Sequence, residues 1–146
     1  MSRLALHTGA ARRRRDDPRA GQALVEFALV VPLLLLLLLG IVEFARAWNV
    51  HEVLTDAARE GARETVVDNG KTEAEVKQII IDAAGRAAIP LTVGDITITG
   101  LNGDKGTPAT VQIVYDHQLR WVGALMRLAT GDRTVTMVST FVMRNE

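Results

Sequence analysis

Hydrophobic residues follow three different rhythms along this chain. Between residues 27 and 42 there is no charged side chain, and residues 33–39 are seven consecutive leucines. With residues 22–26 added the segment has 21 residues. As a helix it rises about 31 Å, matching a bilayer core of roughly 30 Å. A helix packed in a soluble core is not apolar on every face over this length. The pattern predicts a transmembrane helix over residues 22–48, with Trp48 placed as an interfacial aromatic. Pro32 removes the helical bond to the Ala28 carbonyl and predicts a kink, which membrane helices tolerate. Gly40 is ordinary membrane-helix composition.

Beyond the run the rhythm becomes that of an amphipathic helix. Ala47, Val50, Val53, Leu54, Ala57, Ala58, Gly61 and Thr65 fall on one face, with Glu52, Asp56, Arg59, Glu60 and Arg63 largely opposite. This helix, residues 49–67, continues from the membrane segment. Its apolar face is built of small residues, so a partner can approach closely at Ala57, Ala58 and Gly61. That partner is either the chain's own domain or another subunit, with the chain's own domain favoured for most positions. Gly70, after Asp68 and Asn69, is placed to stop the helix. Thr72 with Glu75 forms a capping box for a second helix over residues 73–88. Val76, Ile79, Ile80, Ala83, Ala84 and Ala87 make its apolar face, and Ile89-Pro90 ends it.

The third rhythm is alternation. Strands are predicted over residues 95–99, 109–119 and 134–144. Val111, Ile113 and Tyr115 share a side of the second; Val135, Met137, Phe141 and Met143 share a side of the third. A glycine-rich turn over residues 100–108 joins the first two, and a connection with a short helix occupies residues 121–129. The fold class is therefore α+β: a long membrane-spanning helix continuing into an amphipathic helix, a second helix, then a small three-stranded antiparallel sheet. The domain organisation is a basic leader over residues 1–21, the transmembrane helix over 22–48, and an extracytoplasmic domain over 49–146.

Charge gives the membrane segment a direction. Residues 1–26 carry six arginines against Asp16, Asp17 and Glu26, a net of +3, whereas residues 27–146 net −3. Arg12, Arg13, Arg14 and Arg15 precede the apolar run, and positive flanks stay in the cytoplasm. The leader is expected to be disordered. Its arginines also fit a twin-arginine signal, but ordinary insertion accounts for them equally well. The overall formal charge is zero, and no nucleic-acid partner is expected. There is no cysteine, so the outer domain holds together by packing alone.

Glu26 is the anomaly, because a carboxylate in a membrane segment is costly and calls for a positive partner. Gly21, four residues, then Glu26-Phe27 and an apolar helix resembles the processing site of type IV-type prepilins. The stretch from Gly21 to Pro32, together with Ala57-Ala58-Arg59-Glu60-Gly61-Ala62-Arg63, resembles the TadE-like pseudopilin family of the Tad/Flp pilus system. The resemblance covers about residues 20–64. It implies a pilin-like fold and cleavage between Gly21 and Gln22 by a membrane prepilin peptidase. It also implies a register-setting role for Glu26 beside Phe27, in which the carboxylate meets the new α-amine of a neighbouring subunit. Other pilin-like subunits, the inner-membrane assembly platform and membrane lipid are the implied partners. The family's major pilins carry little beyond the hydrophobic helix, so the added domain implies a minor subunit. An uncleaved, membrane-anchored scaffold or binding protein is the alternative. Ala45-Arg46-Ala47 offers a rival, ordinary signal-peptide cut before Trp48.

Candidate chemistry elsewhere is thin. His7, His51 and His117 make no metal-ligand spacing and read as surface residues. Gly100, Gly103 and Gly106, with Asn102 and Asp104, lack both the Walker-type ending and the calcium-loop pattern, and read as a flexible hairpin connection. Ser2 and Ser139 lie in no nucleophile motif. No enzymatic activity, cofactor or metal is expected.

Overall fold

A computed structural model describes residues 18–67 and 70–145. The arginine run of the leader, and Asp68 and Asn69, lie outside the described residues. The element order is α1 (Pro18–Val66), α2 (Glu73–Gly85), a short 3-10 turn (Val93–Asp95), β1 (Ile96–Thr99), β2 (Pro108–Gln118), α3 (Gly123–Thr130) and β3 (Thr134–Arg144). The α+β class and the single three-stranded antiparallel sheet are as expected, with strand order β1-β2-β3. Helix α1 runs without interruption through Pro32. The chain divides into two units between Leu35 and Leu36.

In the first unit, the described residues are the opening turns of α1, and Leu24, Val25, Phe27, Leu29, Val30 and Leu33 are all exposed. Among the described residues, α1 alone is long and apolar enough to cross a membrane by length and composition, and its most apolar stretch is not buried at all.

The second unit contains the hydrophobic core. Leu54, Ala57, Ala58 and Ala62 of α1, Val76, Ile80 and Ala84 of α2, Ile96 of β1, and Val111 and Ile113 of β2 form one buried cluster. Met137, Phe141 and Met143 of β3 pack against it. The two-residue period of β2 is clean: Ala109, Val111, Ile113 and His117 are buried on the core face. Register follows from this parity, with Ile96 opposite Ile113 and Val111 opposite Phe141. Two polar side chains of the packed layer find partners within it. Thr65 donates to the Gly61 carbonyl at 2.6 Å, the back-bonding expected of threonine inside a helix. Ser139 reaches Thr55 across the β3–α1 contact at 3.3 Å, and the Arg59 guanidinium lies 5.2 Å from the Phe141 ring centre.

The capping box is present: the Thr72 hydroxyl accepts from the Glu75 N–H, and the Thr72 N–H donates to Glu75 Oε2 at 2.8 Å. Helix α2 ends at Gly85, three residues short of the expected 88. Ala88 takes a left-handed φ of 57°, and Ile89 N–H turns back to the Ala84 carbonyl at 3.2 Å. This turn delivers Ile89 into the core and leaves Ala87 exposed, not on the apolar face. A residue preceding proline disfavours the helical region, so the chain must leave α2 before Ile89. Asp95 is likewise not in a strand. Its carboxylate accepts from the Thr92 N–H and hydroxyl at 2.7 and 2.8 Å, which closes the 3-10 turn.

Residues 100–108 are not a slack connection. The Asn145 side chain donates to the Gly100 carbonyl at 3.1 Å and to the Thr107 hydroxyl at 2.9 Å. The Asn145 carbonyl accepts from Gly106 N–H at 2.8 Å. A side chain at Gly100, whose φ is 76°, would sit 2.3 Å from the Pro108 carbonyl oxygen, so only glycine fits.

Candidate functional site

The expected processing segment lies in the first turns of α1. Gly21 and Gln22 are already helical, and a Cβ built on Gly21 meets nothing within 4 Å. Gln22 Nε2 donates to Glu26 Oε1 at 2.9 Å, one helical turn on. Among the described residues the partner of Glu26 is thus a neutral carboxamide, which leaves the carboxylate's charge uncompensated. Glu26 and Phe27 are both exposed. The result is one acid on a helix surface that is otherwise apolar, open to a donor from outside the chain.

The small-residue face goes elsewhere. Ala57, Ala58 and Gly61 are buried by the chain's own domain. A Cβ on Gly61 would stand 2.4 Å from Ile80 Cδ1 and 3.7 Å from Val111 Cγ1. The glycine therefore sets how closely α1, α2 and β2 approach. Of the two occupants open to this face, the chain's own α2 and sheet fill it.

A second constellation was missed by the sequence reading. Glu43, the first residue after the uncharged run, is only 2% exposed. Its carboxylate accepts from the backbone N–H of Arg120 at 3.1 Å and of Trp121 at 2.8 Å, and from Arg46 Nη1 at 3.0 Å. A buried carboxylate would be expensive unpaired, and this one is held by two backbone donors and a guanidinium. It pins the segment leading into α3 to α1.

His117 belongs to the same group. It is 5% exposed, not a surface residue, and its Nε2 lies 3.9 Å from Glu43 Oε1. Among the described residues His117 Nε2 has no hydrogen-bond partner. Burial, with Arg46 next in weight, holds the imidazole pKa below its ordinary value, and the Glu43 carboxylate only partly opposes this.

Both residues had a legible signal. Glu43 lies four residues before Ala47 and so extends the α1 packing face by one turn. His117 shares the parity of Val111, Ile113 and Tyr115. Among the described residues no group of three or more metal-ligating side chains occurs.

The family model described as TadE-like protein matches residues 21–63. The match starts at the glycine of the expected cut and takes in Glu26, Glu43 and Gly61. No curated protein and no solved structure matches the chain.

Proposed function

From a chain whose residues 21–63 are TadE-like, we propose that it is a minor pilin-like subunit for assembly of a Tad/Flp-type pilus. The basic leader stays in the cytoplasm and the C-terminal domain faces outward. A prepilin peptidase removes the leader after Gly21. The mature subunit then joins other pilin-like subunits through the inner-membrane assembly platform. It is a structural subunit, not an enzyme.

One observation carries this reading: the apolar turns around Glu26 are exposed on every side, while the chain's own domain covers a different part of α1. That surface needs lipid before assembly and neighbouring helices after it. Cleavage creates an α-amine on Gln22, one turn from Glu26. In a neighbour the amine and acid compensate each other in a low-dielectric setting, which favours one axial register. Glycine costs about 1 kcal/mol in a helix, so the turn at Gly21 opens readily for a peptidase.

A second reading, an uncleaved anchored scaffold, is favoured by the unbroken helix across Gly21 and Gln22. Mass spectrometry of the membrane-extracted chain separates the two. A peptidase-dependent N-terminus at Gln22 supports processing, whereas an intact leader or a start at Trp48 sinks it. Glu26→Ala should then abolish piliation with insertion and domain stability unchanged.

A further inference from the structure

The segment entering α3 carries an apolar stripe that the domain leaves uncovered. Leu125 and Leu128 lie one turn apart on one face of α3, and Trp121 lies in the segment just before that helix. Trp121, Leu125 and Leu128 are 59%, 48% and 86% exposed. Arg120 and Arg127 flank the stripe, and Arg133 follows it. The nearby acid, Asp132, is engaged by the N–H groups of Arg133 and Thr134 and by the Thr134 hydroxyl.

The position of this stripe is set by Glu43, whose carboxylate binds the N–H groups of Arg120 and Trp121. Residues 36–42, the last of the uncharged run, lie in the same unit and lead directly into Glu43. Where the apolar run ends, the bilayer interface begins. Phe44 and Trp48, exposed on α1 with ring centres 6.2 Å apart, lie just beyond that point. Aromatic residues and arginines beside an apolar stripe are what an interfacial element presents to headgroups.

We infer that Trp121, Leu125 and Leu128 dock on the outer surface of the bilayer, seating the domain on the membrane from which α1 emerges. The inference rests on the membrane-spanning reading of α1. The occupant is phospholipid, chosen because the stripe is tied by hydrogen bonds to the end of the membrane segment and bordered by cations that suit phosphate.

The test uses the full chain in phospholipid vesicles. Trp48→Phe leaves Trp121 as the single tryptophan. Its fluorescence is expected to be quenched by lipids brominated near the headgroup and shielded from aqueous acrylamide. Leu125→Asp with Leu128→Asp should remove that quenching. Leu125 is half-exposed and Leu128 largely exposed, and an unchanged thermal unfolding profile would confirm an intact domain. Leu35→Trp in a background lacking both native tryptophans reports the span separately. Quenching of that reporter by deep bromines, with Trp121 open to acrylamide, overturns the docking proposal and leaves the membrane reading standing. Absence of lipid quenching at both positions overturns both. Shielding of Trp121 that appears only when another pilin-like subunit is added also overturns the proposal, in favour of a protein partner.

Discussion

Leu33 and Leu54 lie in the same helix and face opposite fates. Leu33 is 69% exposed and Leu54 is fully buried. The difference is not hydrophobicity but what the neighbouring residues allow. Around Leu33 the helix is large and apolar all round, so no single face is distinguished for a partner. Around Leu54 the face is completed by Ala57, Ala58 and Gly61, and a second helix and a sheet come close. A continuous apolar surface selects a surrounding medium, whereas an apolar stripe with small residues selects a partner at defined distance.

The sharpest way to break this contrast is to remove bulk from each region. Ile80→Ala empties the space above Gly61 and should destabilise the domain by about 2–5 kcal/mol. Leu33→Ala should leave domain unfolding within about 0.5 kcal/mol of the parent. Denaturant unfolding of the detergent-solubilised chain measures both. Equal costs would show that the two halves are not energetically distinct.

Glu43 sits where the two regimes meet, so it sharpens the boundary. Glu43→Ala leaves the N–H groups of Arg120 and Trp121 without an acceptor, costing about 1–3 kcal/mol. Hydrogen exchange at those two amides should accelerate while the amides of β2 stay protected. Uniform acceleration across β2 would mean the carboxylate supports the whole sheet, not one junction.

A smaller effect is expected at Thr72→Ala, which removes the cap of α2 and should cost about 1 kcal/mol by thermal unfolding. The loss should appear with the membrane segment in any detergent, since the cap belongs to the domain alone.

The smallest is a pH dependence. The folded His117 pKa is depressed, so the unfolded chain binds more protons in the window just below the ordinary value of 6.5. Stability should be full above that value and fall as the pH drops below it. His117→Gln should flatten the profile there. The carboxylates of Glu75 and Asp132, whose pKa values are also lowered, contribute stability that is complete above 4.5. A fall unchanged in the Gln variant would assign the effect to another group.

Much of this protein is written locally. The uncharged run, the capping box of Thr72 and Glu75, the α1 face and the alternation of β2 each depend on residues within a few positions of one another. So does the Gly21-to-Phe27 pattern, which spans seven consecutive residues. The end of α2 at Gly85 and the turn at Asp95 are not written this way, because a buried Ile89 and the Asp95 carboxylate outcompete simple propensity.

Tertiary structure alone decided which partners the long-range groups would meet. Nothing near Glu43 announces that Arg120 and Trp121, more than seventy residues away, will supply its donors. Nor does the spacing of Ala57, Ala58 and Gly61 say that Ile80 will be the side chain they admit. Periodicity names a face, and only the closed fold determines what is pressed against it. The same holds for α3: its sequence marks an apolar stripe, but the bonds from Glu43 place that stripe beside the end of the apolar run.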